Sequence, residues 1–293
     1  MQYDERGMKY RHSYHAGNFA DVHKHVALLG LLAALKKKDK GFLCLDTHAG
    51  RGSYDLSSPS AEAAAGVTRF LQARHVAPEL RAYAELLRRF RAGAGRTHRY
   101  PGSPLIAALE LRPQDRLVLV ELQGAEAHAL QESLAMVTEA RGPNHPAARV
   151  ERGDGFQKLR AFLPPAERRG LTLVDPPYES EEDFGRVTTA LVEGLRRFPT
   201  GVFAAWYPIK EERALRGWHD SCVRALSAPL LVSELWLYPR DSRVSLNGSG
   251  LLIVNPPWLC LEHMQQWLPE LQVTLAAGPG AGSRAEMLSE SPP

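Results

Sequence analysis

The chain has 293 residues, enough for one large domain or two small ones with a substantial core. Its hydrophobic share of 44% and charged share of 24% are those of a globular protein, and no apolar run approaches the roughly 20 residues that a membrane span needs. A net charge of +3 does not by itself imply nucleic acid, and the three scattered cysteines, Cys44, Cys222 and Cys260, exclude a disulfide framework or a cysteine-based zinc site. The charged opening from Met1 to Arg11 lacks an apolar h-region, so the sequence is read as a cytoplasmic, monomeric protein with no secretory leader and no membrane partner.

The first informative segment crowds His12, His15, His23 and His25 together with Tyr10, Arg11 and Lys24. Histidine spacing alone admits a metal, but no cysteine or carboxylate cluster accompanies it in sequence, so none is expected. Tyr10, Arg11 and Lys24 suit bases and phosphates, which makes this stretch a substrate-binding arm. It leads into a helix over Asp21 to Lys38, with apolar residues at Val22, Val26, Leu29, Leu32 and Leu35 and lysines in the last turn, where the helix dipole is negative.

A first strand, Phe42–Leu45, runs directly into Asp46-Thr47-His48-Ala49-Gly50-Arg51-Gly52. An acid followed by two glycines spaced by one residue makes a loop whose backbone a ligand can approach closely. The dehydrogenase pattern G-x-G-x-x-G is absent. The form D-x-x-x-G-x-G is that of S-adenosylmethionine-dependent methyltransferases, although alone it does not decide the ligand. Two helical patterns follow, Ala61–Gln72 and Pro78–Arg91, and they interrupt the alternation of strands and helices. They are read as an inserted helical subdomain over residues 55–99. Between Gly66 and Tyr100 stand Arg69, Arg74, Arg81, Arg88, Arg89, Arg91, Arg96 and Arg99 against Glu79 and Glu85, a local charge of +6 that suits a phosphate-facing surface.

Beyond the insertion, apolar runs at Leu117–Leu122, Ala148–Glu151, Leu171–Val174, Val202–Tyr207, Leu230–Tyr238 and Leu251–Val254 read as strands. Helix-length stretches such as Gly124–Thr138 and Glu182–Phe198 separate them. The alternation predicts a mostly parallel, doubly wound α/β sheet over residues 1–54 and 100–276. The Gly- and Pro-rich tail over 277–293 reads as disordered. Acids end the first four strands: Asp46, then Glu121, where a carboxylate can accept both ribose hydroxyls, then Asp154 beside Phe156, suited to an adenine amino group, then Asp175.

Asp175-Pro176-Pro177-Tyr178 carries the chemistry. Two prolines stop a strand because neither can donate to a sheet ladder. They leave an acid, a rigid corner and an aromatic ring at the carboxyl end of that strand, where open α/β sheets bind ligands. An amino group conjugated to a ring is a poor nucleophile because its lone pair is delocalised. The carboxylate of Asp175 and the carbonyl of Pro176 can take both its N–H groups and turn the lone pair toward an electrophile, while Tyr178 stacks on the ring. Asn255-Pro256-Pro257-Trp258 is a second candidate, but it follows the last strand rather than the fourth and is expected to be structural.

The opening block Tyr10-Arg11-His12-Ser13-Tyr14-His15-Ala16-Gly17-Asn18, the loop Leu45–Gly50, Tyr100-Pro101-Gly102-Ser103-Pro104-Leu105, Asp154-Gly155-Phe156 and Asp175–Tyr178 are similar to the RlmJ family of bacterial 23S ribosomal RNA adenine-N6 methyltransferases. The resemblance runs from Tyr10 to Pro269. It implies a Rossmann-like class I S-adenosylmethionine-dependent methyltransferase with a small inserted helical subdomain, and 23S rRNA as partner. It also implies cofactor contacts at His25, His48, Ser103, Glu121, Asp154, Gly155 and Asp175, with Gly50 in the same loop. Catalysis falls to Asp175, Pro176 and Tyr178, and Tyr10, His12 and Lys24 belong to the substrate side. Two rivals remain open. A DNA adenine-N6 methyltransferase would share Asp-Pro-Pro-Tyr but differ in methyl acceptor. An inactive RNA-binding module of the same fold would not bind the cofactor.

Overall fold

The computed structural model describes residues 15–142, 144–180, 182–240, 242, 244 and 246–290. Helix α1 (Phe19–Lys36) is capped by Asn18, whose side chain accepts from the Asp21 amide at 3.0 Å. It is followed by β1 (Leu43–Asp46) and β2 (Ser53–Asp55). The expected helix over Ala61–Gln72 is broken into α2 (Ala61–Ala63), a π-turn over Ala64–Thr68 and α3 (Arg69–Gln72). The break has a steric cause: a side chain at Gly66 would sit 2.3 Å from the Gly17 carbonyl oxygen, which instead accepts from the Val67 amide. Helix α4 (Pro78–Arg91) and β3 (Arg99–Pro101) complete this stretch, and β3 pairs antiparallel with β2, Tyr54 opposite Tyr100. The stretch over residues 55–99 thus begins and ends on the two strands of a small sheet of their own, β2–β3, separate from the main sheet. Val67, Phe70, Leu80 and Tyr83 share a core with Val22 and Val26 of α1.

Then come α5 (Ser103–Glu110), β4 (Arg116–Glu121), α6 (Gly124–Arg141), β5 (Ala147–Arg152), α7 (Gly155–Phe162), β6 (Gly170–Val174) and α8 (Glu182–Arg197). The chain closes with β7 (Val202–Ile209), α9 (Glu212–Ala225), β8 (Leu230–Trp236), β9 (Gly248–Val254), α10 (Cys260–Leu275) and β10 (Gly282–Ser289). Eight strands form one sheet in the order β10-β8-β9-β7-β6-β1-β4-β5. The pairs β5–β4, β4–β1, β1–β6 and β6–β7 are parallel, and β9 is antiparallel to both β7 and β8.

Burial on both faces explains why the strands read as continuous apolar runs. Ala204, Leu251 and Ile253 pack with α1 and α10, whereas Phe203, Ala205, Leu252 and Val254 pack with α8 and α9. After β1 the chain builds outward through β4 and β5, then crosses back to β6 and β7 on the other side of β1. That reversal opens a crevice at the carboxyl ends of the parallel strands, between β1 and β6. The described helices include none long and apolar enough to cross a membrane.

The inserted arginines have diverse partners. Arg89 pairs with Glu110 at 3.0 Å, Arg69 donates to the Ala276 carbonyl, Arg91 to the Arg99 carbonyl, and Arg96 covers the Phe90 ring. Arg88 and Arg89 remain mostly exposed.

The tail corrects an expectation. Residues 277–281 are a turn, with Gly280 at φ +84°, and the chain beyond them is strand β10, antiparallel to β8. The cause is a buried charge. Glu234 of β8 is fully buried, and Arg284 opposite it donates from Nε at 2.5 Å. Arg240 at 3.0 Å and the Tyr207 hydroxyl at 2.9 Å complete its shell. Burial raises the Glu234 carboxyl, but the bond and charge of Arg284 together with the Tyr207 hydroxyl outweigh it, so the group stays below its ordinary range. Composition flagged the turn and hid the strand behind it. Replacing Arg284 with alanine leaves Glu234 short of one cation, and chemical denaturation should show a loss of about 2–4 kcal/mol.

Candidate active site

Four carboxyl groups converge where the parallel strands end. Asp46 closes β1, Glu121 closes β4, Asp154 follows β5 and Asp175 follows β6. Pro176 and Pro177 turn the chain after β6, and Tyr178 sits at φ +49°, a conformation rare for an aromatic residue. Its hydroxyl donates to the Trp206 carbonyl at 2.6 Å, which holds the turn against β7.

Asp175 is bound to α1. The Lys24 ammonium lies 2.6 Å from Asp175 Oδ2 and 2.8 Å from Asp21 Oδ1. Burial alone would lower the pKa of Lys24, but the two carboxylates overcome it and hold the group well above its ordinary value. Burial likewise works to raise Asp21, and Lys24 outweighs it, taking that carboxyl down to about 2. Lys24 is a permanent cation here and cannot serve as a base. Asp21 also accepts from the Gly17 amide at 2.9 Å, which ties the start of α1 to the same cluster.

On the β1 side, Asp46 Oδ2 accepts from Ser103 Oγ at 2.6 Å and Oδ1 from the His48 amide at 3.2 Å. Burial pushes its carboxyl up to about 6, which the bond from Ser103 only partly opposes. The Gly50 amide donates to Glu121 Oε2 at 2.9 Å and the Gln123 amide to Oε1 at 2.7 Å. Each Glu121 oxygen keeps a second lone pair for a ligand hydroxyl. Asp154 caps α7 by accepting from the Phe156 and Gln157 amides, and its other oxygen lies 3.2 Å from Arg186, whose guanidinium covers the Phe156 ring at 4.6 Å. Gly155 is required by contact: a side chain there would meet the Thr47 carbonyl oxygen at 1.9 Å.

Two adjoining cavities result. The larger, about 550 Å³, is lined by Lys24, His25, His48, Gly50, Ser103, Asp175, Pro176 and Tyr178 among others. The smaller, about 250 Å³, is lined by Glu121, Asp154, Gly155 and Phe156, and shares His48, Pro176, Pro177 and Glu179 with the larger. The structure thus gathers the sequence-predicted residues into one bipartite crevice, except Tyr10 and His12, which lie outside the described residues. His25 is buried with Nδ1 2.8 Å from the Tyr100 hydroxyl, and burial takes it down to about 3, so it is neutral. Its Nε2 is buried without a partner among the described residues. The polar lining of the larger cavity, with the Gly155 approach and the Glu121 and Asp154 acceptors in the smaller, fits a cofactor bearing a nucleoside and a polar tail. Among the described residues no group of three side chains could hold a metal ion.

Sequence reasoning missed Asp21, Trp206 and Lys210 among the lining residues. Asp21 was assigned only to a helix start, Trp206 only to a strand, and Lys210 stands just past β7 with no motif around it. Asn255 lies at the other end of the sheet. Because β9 runs antiparallel to β7, Val254 pairs with Phe203, and Asn255 Nδ2 donates to the Pro199 and Gly201 carbonyls at 2.8 Å each. Its role is to bind those loops together.

Residues 39–287 match the family described as Ribosomal RNA large subunit methyltransferase D, RlmJ. The chain belongs to this family. It is 42% identical over 279 residues to a protein of Escherichia coli (strain K12) named Ribosomal RNA large subunit methyltransferase J, covering 93% of this chain and 96% of that one. A Haemophilus influenzae protein of the same name is 37% identical over 284 residues, covering 94% and 96%. Among solved structures, protein LPL1258 from Legionella pneumophila superposes with a TM-score of 0.82 at 34% identity, over 94% of this chain and 99% of that one. The family is thus one of ribosomal RNA methyltransferases built on this Rossmann-like sheet.

Proposed function

We propose that this protein methylates the N6 amino group of a specific adenine in 23S ribosomal RNA, with S-adenosyl-L-methionine as donor. The observation that carries the reading is the Asp175–Tyr178 turn, set at the junction of a nucleoside-sized pocket and a larger open cavity. In the smaller pocket Glu121 would take the ribose hydroxyls and Asp154 the adenine amino group, beside Phe156. Toward the larger cavity, the Gly50 loop, His48, Ser103 and His25 would hold the methionine end.

A stacked adenine cannot reach a donor at the bottom of this crevice, so the target base must leave its stack and enter the larger cavity. Asp175 and the Pro176 carbonyl would accept its two N–H groups and aim the nitrogen lone pair, with Tyr178 against the ring. When bound, the cofactor would supply a sulfonium methyl: the nitrogen lone pair would become the new N–C bond, and the electron pair of the broken S–C bond would stay on sulfur. The amine needs no prior deprotonation, because its proton becomes acidic only on transfer and then passes to Asp175 or to water. Lys24 holds Asp175 in place at 2.6 Å, and most of the acceleration is positioning.

Family membership favours RNA over DNA as acceptor. With a labelled methyl donor, protein-free 23S rRNA should gain label recovered as N6-methyladenine after nuclease digestion, and duplex DNA should gain none. Label in DNA alone would leave the fold assignment standing and overturn the substrate. Charge supplies a second expectation. Below about pH 6 Asp46 carries its proton and gives no charge to a cationic ligand, so affinity for the cofactor should rise between about pH 5 and 7. Titration of an Asp46→Asn variant should lose that rise. The reading extends to the inserted helices, where exposed Arg88 and Arg89 would meet RNA phosphates. Reversing both charges should lower RNA affinity and flatten its salt dependence in a filter-binding titration.

A further inference from the structure

Trp206 lies at the floor of the larger cavity without any role in the chemistry described above. Its neighbours in β7 are fully buried, but its indole is partly open to the cavity. The ring centroid lies 6.0 Å from Lys24 Nζ, which is bonded to Asp175, and 5.7 Å from the Tyr178 ring. The two aromatic planes meet at 70°. They cannot sandwich a base between them. They form a corner instead, in which a planar ring lying on one wall turns its edge to the other.

Tyr178 is a weak wall by itself. It is only 7% exposed, its hydroxyl is engaged with the Trp206 carbonyl, and its ring packs on Phe184 at 4.8 Å. The indole is fixed from the side away from the cavity. Its Nε1 donates to Ser249 Oγ at 2.9 Å, and the same oxygen lies 2.9 Å from His23 Nδ1. His23 Nε2 in turn lies 2.9 Å from Ser233 Oγ. Burial takes His23 down to about 3, so this chain of polar groups is uncharged at neutral pH. Three elements, α1, β8 and β9, thus converge on the orientation of one ring.

We propose that Trp206 is the second wall of the target-base site, with Ser249 and His23 as the positioning residues that hold it at a right angle to Tyr178. The inference rests on the methyltransferase reading above. A flipped purine carries its exocyclic amine on the ring edge. A corner of two aromatic walls fixes both the plane of the ring and its rotation within that plane, which a single stacking surface cannot do. Rotation is what decides whether the amine faces Asp175.

The test compares wild type with Trp206→Phe, Trp206→Leu and Ser249→Ala, measuring kcat and KM for 23S rRNA beside a cofactor titration. Trp206→Leu should lose about tenfold in kcat/KM for RNA, with cofactor affinity unchanged within about twofold. Trp206→Phe keeps an aromatic wall and should recover most of that loss. Ser249→Ala frees the indole without removing it and should raise KM for RNA by about threefold, with a smaller change in kcat. A Trp206→Leu protein that binds cofactor normally and methylates RNA as well as wild type overturns the proposal. A phenylalanine variant as impaired as the leucine one also overturns it, because the N–H rather than the wall would then matter. If the leucine variant fails to bind cofactor, Ser249→Ala carries the test, and an unchanged KM there counts against the proposal. A wild type that binds cofactor and labels no RNA removes the underlying reading and this inference together.

Discussion

The ammonium of Lys24, held between Asp21 and Asp175, is the contact on which the crevice depends. It joins the first turn of α1 to the loop after β6, two segments 151 residues apart in the chain. Without it, two carboxylates would face a partly buried cavity with no counter-charge between them, and Asp175 would lose the contact that fixes its side chain. With it, the position of Asp175 is set by a residue of α1 that is itself held by Asp21. The remaining features of the site follow from that anchoring. The Pro-Pro corner fixes the backbone, the Tyr178 hydroxyl pins the turn to β7, and Gly17 joins the cluster through Asp21.

Electrostatics divide the crevice into two halves. On the β1 side, Asp46 is buried and poised near pH 6, under Ser103 and the His48 amide. On the β4 and β5 side, Glu121 and Asp154 spend their strongest acceptor positions on backbone amides, which fixes their orientation before a ligand arrives. Such preorganisation lowers the cost of ordering on binding. His25, which lines the larger cavity, and His23, which holds Ser249 behind Trp206, are both neutral, so neither adds positive charge to the carboxylates at the centre.

Much of this was legible in the sequence. The alternation of apolar runs and helical spacings marked the doubly wound sheet, and the acids at four successive strand ends marked the edge where its crevice opens, because both depend on local pattern. Asp175–Tyr178, the Asp46–Gly52 loop and Asp154-Gly155-Phe156 could be placed for the same reason. What escaped depends on distant partners. Gly66 breaks a helix only because Gly17 lies against it. The strand over Gly282–Ser289 exists because Glu234 needs Arg284, and its Gly-rich approach reads as a tail. Trp206 looked like any strand residue until Tyr178, Lys24 and Ser249 surrounded it. Asn255-Pro256-Pro257 shows the converse, since a motif with the right residues stands at the wrong end of the sheet.

The central claim is that Asp175 orients the target amine and does not serve chiefly to bind cofactor. Single-turnover methyl transfer to 23S rRNA by an Asp175→Ala variant, at saturating cofactor and RNA, tests it most directly. The account predicts a rate at least about a hundredfold below wild type, with cofactor affinity retained within about tenfold. A variant that transfers methyl groups at a rate close to wild type would contradict it.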